Sequence, residues 1–324
     1  MKAKRIPGLI DVMEVSDLSE IEVANQRPEI DRQFTSRLPL LNGLLLNNVL
    51  GTLCSRGKRF PTMLPRQDAA RADYQDALWN QLNAKASLFR EGPVELESIA
   101  AWLKGVGEDH AVGILLQELV GRSFASSYTA TQESWTAAVT LDQAIRMKNP
   151  FKRLGWKVTG RVRTARDVLA AKVAGNTAAI HGTGIAIHNL VNAVQSMRVL
   201  YSDVGLRADL SPEEATFRSL AAPAGILRQA TAAGSVSGCP FRRGTLFVLK
   251  LSEAYKLSGY DGVVFQRDSW NQCPAEQWVL ALLAGIWVRA TKADDQLLRR
   301  MYSRDHPFAS RSANGETAAK QTRE

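Results

Sequence analysis

The chain has 324 residues, 45% of them hydrophobic, and a formal net charge of +9. This length and composition suffice to bury one large core or two ordinary ones, which excludes a wholly disordered chain. The basic N-terminus is followed by acidic residues rather than by an apolar stretch, and no run of about 18 apolar residues occurs. We therefore expect neither a signal peptide nor a transmembrane segment.

The cysteines Cys54, Cys239 and Cys273 are an odd number in a chain that is too large to need disulfides. Such cysteine usage is typical of a reducing compartment. We therefore expect a soluble, cytoplasmic protein whose cysteines stay free.

Hydrophobic periodicity predicts a mainly α protein, with one large helical domain and a small β component near the C-terminal half. Residues 1–65 are punctuated by proline and mixed in character, so we interpret them as an N-terminal arm, with a short buried element at the apolar cluster 38–50. Apolar residues at helical spacing then predict helices over 68–89, 93–103, 111–120, 134–147 and 177–201, the last broken only by Gly182 and Gly184.

A complete helix-start signal follows, with Ser211 as N-cap, Pro212 at the first helical position and Glu214 three residues after the serine. The β-rich run 245–249 predicts a strand, and the last helix is expected over 274–292. The helical main domain is therefore predicted over 66–302. The polar tail 303–324 is predicted to be disordered.

The positive charge is concentrated between Gln143 and Arg166, where eight residues are basic and none is acidic. A solvated surface is one interpretation, and an acidic partner such as a redox protein, or a phosphate backbone, is the other. Only Phe151 and Trp156 interleave the charges, so a stacking platform for single-stranded nucleic acid is poorly supported and we expect no nucleic acid. The residues predicted to meet an acidic redox partner are Arg146, Lys152, Arg153, Arg161, Arg163 and Arg166.

Common catalytic signatures do not match this sequence. Residues 51–58 hold one residue too many for a phosphate-binding loop and continue with Arg59. Gly182-Thr183-Gly184 has no preceding strand and has Ile187 in place of the third glycine of a dinucleotide fingerprint. The segment 234–238 has valine where a nucleophile elbow has serine.

His181 and His188 lie seven residues apart on one face of the long predicted helix. They could share a metal ion in principle. Metal-binding helices more often pair histidines four residues apart or combine one with a carboxylate, so ordinary packing is the favoured interpretation.

Cys273 stands before Pro274 at the start of the last predicted helix. Proline suits the first turn of a helix, so the cysteine occupies the cap position, where unpaired backbone N–H groups favour a thiolate. A thiolate could ligate a soft metal or heme iron, or act as a redox or nucleophilic centre. Because no CxxC partner and no nearby histidine is present, ligation is favoured over nucleophilic catalysis, with a buried structural thiol as the alternative.

The order of elements from Leu210 onward resembles the C-terminal half of a cytochrome P-450. Upstream, the segment 118–122 and Thr183-Gly184 also resemble segments of that family, so the resemblance spans roughly residues 90–290. The matching pieces, in chain order, are Glu214 with Arg218, Pro223, Arg228, Gly244-Thr245-Leu246, the stretch 265–268 and Cys273-Pro274.

The resemblance implies heme as the cofactor, with Cys273 as the axial metal ligand. It places Arg228 on a heme propionate and Asn271 at the cofactor, where the family usually has a basic residue. Glu214 and Arg218 correspond to the family's structural ion pair, although they are four residues apart here rather than three.

The same resemblance places Gly184, Ile187 and His188 on the distal, catalytic side, beside an apolar small-molecule substrate. This chain has Ala186 and Ile187 where the family has an acid and a threonine that deliver protons to bound oxygen. Their absence favours peroxide-driven or rearrangement chemistry over hydroxylation with O2.

The sequence thus predicts a divergent, shortened heme-thiolate oxidoreductase. Two alternatives stay open at this point. One is a catalytically inactive relative that keeps the fold, and the other is a helical interaction or regulatory protein that binds an acidic partner through the basic segment.

Overall fold

The computed structural model describes residues 1–36, 39–55, 57–60, 63–86, 89, 94–147 and 149–291. The helices are α1 (Leu18–Gln26), α2 (Leu40–Thr52), α3 (Ala69–Ala86), α4 (Val94–Leu103), α5 (Asp109–Arg122), α6 (Gln132–Arg146), α7 (Pro150–Val158), α8 (Arg161–Lys172), α9 (Thr177–His181), α10 (Ile187–Ser202), α11 (Val204–Asp209), α12 (Pro212–Ser219), α13 (Leu251–Ser258), α14 (Gly262–Phe265) and α15 (Glu276–Thr291). A π-helical turn, Gly182–Ala186, joins α9 to α10. The strands are β1 (Lys2–Ile6), β2 (Ile10–Val15), β3 (Ile30–Asp31), β4 (Cys54–Ser55), β5 (Lys58–Arg59), β6 (Ile226–Ala230), β7 (Gly234–Val236), β8 (Cys239–Phe241) and β9 (Leu246–Leu249).

The chain divides into two compact units, the first of which comprises residues 1–75, 117–189 and 221–272. Its main sheet has the order β1-β2-β9-β6-β3, with β2 and β9 parallel and the other neighbours antiparallel. Buried residues alternate along the parallel pair, where Met13 lies beside Phe247 and Val15 beside Leu249. The predicted strand 245–249 is confirmed as β9, whereas β1 and β2 were not predicted from the sequence.

A buried carboxylate ties the N-terminal strands to the C-terminal part of this sheet. Asp11 is 1% exposed and accepts from Arg5 Nε at 3.1 Å and from Arg242 Nε at 3.0 Å. The hydroxyl of Thr245 donates to the same carboxylate at 3.0 Å. Each carboxylate oxygen therefore has a donor, as a buried charge requires.

Helices α6 and α8 of the first unit pack against the π-helical turn. Helix α6 packs against α8 and against this turn, with Leu141 and Leu169 in the shared core. A capping box starts α6, because Thr131 Oγ1 accepts from Ser134 N while Ser134 Oγ accepts from Thr131 N. These two helices fix the position of the long helix that carries the predicted distal residues.

Among the described residues, the second unit comprises 76–86, 89, 94–116, 190–220 and 273–291. Helix α15 is its centre, since it is buried along most of its length and packs against α4 and α12. The predicted capping box at Ser211 is confirmed, because Glu214 N donates to Ser211 Oγ at 3.2 Å and Ser211 N donates to Glu214 Oε2 at 3.0 Å. Helix α15 starts at Glu276, two residues later than predicted.

The predicted fold class, mainly α with a small β component, is confirmed. The predicted arm 1–65 lies within the first unit, and its separation from a domain 66–302 stays a prediction. The predicted tail 303–324 lies outside the described residues. Over the described part of the chain, every helix is too short or too polar to cross a bilayer.

Candidate functional site

Cys273 lies in the turn that leads into α15. Its carbonyl accepts from Glu276 N at 3.3 Å, and the N–H of Ala275 donates to its sulfur. Burial nevertheless raises the pKa of the thiol to about 11, and the nearby charge of Glu276 raises it further. The expectation that this helix start favours a thiolate is wrong for the protein alone, because desolvation of the charged sulfur outweighs one amide. A bound metal cation supplies the opposite effect.

Arg228 projects from β6 into the interior of the first unit and is 2% exposed. Its guanidinium donates to Leu227 O at 2.8 Å and to Gln266 Oε1 at 3.1 Å. Burial lowers the pKa of Arg228 to about 9, and the charge of Arg71 lowers it further against the opposing effect of Asp31. Because its hydrogen-bond acceptors are neutral and only the charge of Asp31 opposes the effect of burial, Arg228 is a candidate anion-binding residue.

Two further arginines converge with Arg228 on the indole of Trp270. The guanidinium carbons of Arg32, Arg71 and Arg228 lie 5.2, 4.6 and 5.4 Å from the centre of that ring. Burial lowers the pKa of Arg32 well below its ordinary value, with repulsion from Arg228 as the next cause. Burial also lowers the pKa of Arg71. Three cations therefore lie against one indole ring, which is a stabilising but incomplete substitute for counter-anions.

Two buried donors around these arginines have no acceptor among the described residues. They are Arg228 Nε and Trp270 Nε1. Asp31 is the carboxylate that acts on all three guanidiniums, and its Oδ1 already accepts from the backbone N–H groups of Arg32 and Arg66. The cluster thus has an excess of donors and of positive charge, and this donor set fits a bound group with more than one carboxylate.

Asn271 joins the same cluster from the segment before Cys273. With its amide oxygen turned toward the cations, it accepts from Arg228 Nη2 at 2.6 Å and from Arg32 Nη2 at 3.1 Å, while its nitrogen donates to Ser269 Oγ at 3.1 Å. Arg71 donates to Gln75 Oε1 at 2.6 Å, and Gln75 in turn donates to the carbonyl of Gln272 at 3.0 Å. The predicted cofactor residues Arg228 and Asn271 are therefore brought together.

The π-helical turn replaces the predicted break in the long helix. A methyl group at Gly184 would lie 2.6 Å from Leu169 Cδ1 and 3.0 Å from Leu141 Cδ1, so this face of the turn packs on α6 and α8. Ile187, 1% exposed, is buried at the start of α10. The only hydroxyl group of the turn is that of Thr183. Its proton is donated to Ala179 O at 2.7 Å.

The two histidines of the long helix have different surroundings. His188 contacts Trp135 of α6, with ring centres 5.4 Å apart, and burial lowers its pKa against the opposing effect of Asp142. His181 contacts Phe60 at 5.9 Å, and its Nδ1 is buried without a partner in the described structure. Burial lowers the pKa of His181 to about 4, and the charge of Arg32 lowers it further. Of the two histidines, it is therefore His181 whose pKa is lowered by an arginine of the cluster.

Glu214 and Arg218, predicted as a structural pair, lie in the second unit on α12. Hydrogen bonds from the backbone and hydroxyl of Ser211 lower the pKa of Glu214, and the charge of Arg218 adds a smaller effect. Among the described ion pairs, none joins these two side chains within 4 Å. The carboxylate is used in the capping box, so Glu214 primarily starts the helix.

Sequence reasoning missed Arg32, Arg71 and Trp270. Arg32 follows a two-residue strand and Arg71 lies in the first turn of α3, where a charged residue is ordinarily solvated. Because the three residues lie in segments far apart in the chain, no sequence spacing indicates that they meet. The proximity of Trp270 to Cys273 in the chain was the available clue.

Several solved structures are similar to this one over most of both chains. For CYP175A1 of Thermus thermophilus the TM-score is 0.60 at 16% identity, covering 88% of this chain and 82% of that chain. For a six-coordinated cytochrome P-450 from another strain of Thermus thermophilus the TM-score is 0.56 at 14% identity, covering 86% of this chain and 84% of that chain. For an OleT variant in complex with arachidonic acid the TM-score is 0.59 at 10% identity, covering 86% of this chain and 80% of that chain. No protein-family model and no curated protein sequence matches the chain.

The chain therefore has a cytochrome P-450-like fold, mainly helical with a small β region. At identities this low, the similarity establishes the fold and leaves the chemistry to the residues of this chain.

Proposed function

We propose that this chain is a heme-thiolate oxidoreductase that acts on an apolar small molecule and uses a peroxide as its oxidant. The observation that carries the proposal is the cluster of Arg32, Arg71 and Arg228 on Trp270, whose charges and orphaned donors fit the two carboxylates of a heme. Trp270 and Asn271 lie just before Cys273 in the chain. A cytochrome P-450-like fold supports the same assignment.

In this proposal the thiol of Cys273 is the metal ligand and the three arginines hold the heme carboxylates, while Asn271 orients Arg32 and Arg228. Heme, when bound, supplies the oxidising chemistry for the substrate. The chain's own residues bind and orient that group and neutralise its carboxylates. Each guanidinium then gains the counter-anion that burial makes necessary.

The distal side determines the choice of oxidant. The positions that resemble the family's acid and threonine are Ala186 and Ile187, and neither side chain moves a proton. The one hydroxyl of the π-helical turn, on Thr183, donates to a backbone carbonyl. A peroxide already contains the reduced oxygen that such residues otherwise help to form, so peroxide chemistry fits this surface better than O2. An apolar substrate is consistent with the fatty acid in the OleT complex.

The first experiment measures heme binding through Cys273. Purified protein supplied with heme should give a pyridine hemochrome near one heme per chain and, when reduced under carbon monoxide, the red-shifted Soret band of thiolate ligation. Cys273→Ala should lose that band. Cys239→Ala, which changes an exposed cysteine, is the matched control and should retain it.

Turnover then distinguishes the oxidants. Heme-loaded protein should oxidise a long-chain fatty acid when hydrogen peroxide is added, and should do so at least tenfold more slowly with O2 and a reductant. A colourless protein after heme supplementation contradicts the heme assignment. A faster reaction with O2 contradicts the choice of peroxide alone.

The predicted acidic redox partner at the basic segment stays a prediction, as does the cytoplasmic location. Peroxide-driven turnover requires no electron donor. The basic segment therefore has no task in the proposed reaction, and its surface can be considered separately.

A further inference from the structure

Helix α7 exposes its apolar side chains to solvent. Phe151, Leu154 and Val158 are 84%, 59% and 79% exposed. Leu154 and Val158 follow Phe151 by three and seven residues. At 100° per residue, the three side chains therefore fall within about 60° of arc on one face of the helix. A surface helix of a globular protein ordinarily turns its apolar face toward the core, and α7 does the opposite.

The opposite face of α7 attaches it to the protein. Trp156 is 8% exposed, and its ring is covered by the guanidinium of Arg161 at 4.3 Å and the ammonium of Lys152 at 5.8 Å. Asn149 caps the helix by accepting from the backbone N–H groups of Phe151 and Lys152. The helix is therefore formed and anchored by its own contacts, so the apolar face is not the result of a frayed segment.

Basic side chains border the apolar face on both sides. Lys152 and Lys157 flank it on α7, and Arg161 and Arg163 follow at the start of α8. Within the described part of the chain, Lys152, Lys157 and Arg163 form no ion pair. No acidic residue occurs between Gln143 and Arg166, so no internal partner in this segment neutralises the border.

We propose that α7 is an interfacial helix that docks this protein on a membrane surface containing anionic lipid. Phe151, Leu154 and Val158 would enter the boundary between headgroups and acyl chains, while Lys157, and Lys152 once its ammonium leaves the Trp156 ring, extend to the headgroup phosphates. Charge complementarity selects an anionic surface, and the central apolar stripe selects a lipid rather than an acidic protein. An acidic protein face would match the border but leave three exposed apolar side chains without a partner.

Co-sedimentation of the full chain with vesicles tests the proposal. Vesicles of phosphatidylcholine with about one third phosphatidylglycerol should bind the protein at least tenfold more strongly than phosphatidylcholine alone, and added salt should weaken the binding. The triple change Phe151→Ser, Leu154→Ser and Val158→Ser should reduce binding at least tenfold. Lys152→Gln with Lys157→Gln should reduce both the binding and its salt dependence.

The chain offers a matched control for the triple variant. Val199, Val204 and Leu257 are 71%, 68% and 74% exposed outside α7. Changing these three residues to serine removes a similar apolar area and should leave vesicle binding unchanged. Circular dichroism and thermal melting verify that both triple variants fold.

Two results would overturn the proposal. One is wild-type protein that binds phosphatidylglycerol vesicles no better than phosphatidylcholine vesicles, which would return the basic segment to the acidic-protein interpretation. The other is an equal loss of binding in the folded α7 and control variants. Because vesicle binding is measured without turnover, neither result depends on the proposed oxidoreductase activity.

Discussion

Arg32, Arg71 and Arg228 are costly residues for a folded chain to keep. Burial lowers the pKa of each of them. The pKa values of Arg32 and Arg228 are lowered further by the charge of another arginine of the cluster. A base whose pKa is lower in the folded than in the unfolded state is charged at neutral pH at the expense of stability. In the proposed function the heme carboxylates would compensate this cost, which is an expected trade between stability and binding.

This trade predicts an unusual response to Arg32→Met. Removing a buried charge that is repelled by Arg228 should raise the melting temperature of the heme-free protein by about 2–4 °C. If the proposed function holds, the same change should weaken heme binding at least tenfold, because one heme carboxylate would lose its cation. Thermal melting of heme-free protein and absorbance titration with heme measure the two effects.

Arg59→Met is the control for that experiment. Arg59 donates to the carbonyls of Arg32 and Gln33 at 3.1 and 3.0 Å, so its loss should lower stability slightly and leave heme binding nearly unchanged. A lower melting temperature for Arg32→Met with unaltered heme affinity would mean that the arginine cluster is structural.

Part of the candidate site could be predicted from the sequence. Arg228, Asn271 and Cys273 lie close to motifs that resemble a known family, and the structure brings the first two together. The protonation state of Cys273 could not be read from its cap position, because burial of a sulfur depends on chain segments far from it. The same dependence on burial hid Arg32 and Arg71.

At the level of elements, local signals succeeded and long-range pairing failed. The helices α3 to α6 and the capping box of α12 were predicted because helical periodicity and capping are local properties. Strands β1 and β2 were missed because β2 pairs with β9, more than 230 residues later in the chain. The glycines at 182 and 184 were interpreted as a break, whereas a π-helical turn accommodates them and keeps the helix continuous.

Asp11 holds those long-range strands together, which predicts a large effect of Asp11→Asn. The change replaces one of the two buried carboxylate oxygens, which accept from Arg5, Arg242 and Thr245, by an amide nitrogen that faces these donors. The free energy of unfolding should fall by about 2–4 kcal/mol, measured by urea denaturation.

The matched change on the other partner should be mild. Arg242 has a side chain that is 64% exposed, so Arg242→Gln should lower stability by less than about 1 kcal/mol. Equal effects of the two variants would contradict the view that the buried carboxylate, rather than an individual ion pair, is the important group.

For the whole molecule, a cytochrome P-450-like fold is kept at identities of 10–16% to the solved structures described above. Interior packing tolerates extensive substitution when volume and hydrophobic pattern are maintained. A fold can therefore be conserved after sequence similarity is no longer detectable. The polar and charged residues of a site are not interchangeable in that way. They are therefore the positions at which this chain's chemistry has to be tested.

The acid stability of the whole chain provides such a test at His181. Its pKa is about 4 in the folded protein, compared with an ordinary value of 6.5, because burial and the charge of Arg32 disfavour the imidazolium. The unfolded chain consequently binds more protons between these values. Stability should therefore fall as the pH decreases from about 6.5 towards 4, by about 1–3 kcal/mol from this residue.

His181→Phe removes the titrating group while keeping an aromatic ring next to Phe60. The variant should lose most of that pH dependence when urea denaturation is measured from pH 7 to pH 4. His188→Phe should remove a smaller share, because the charge of Asp142 opposes the effect of burial on the pKa of His188. If the His181 variant kept the full slope, the imidazole would have to be hydrated in the folded protein, and its proximity to the arginine cluster would carry no energetic consequence.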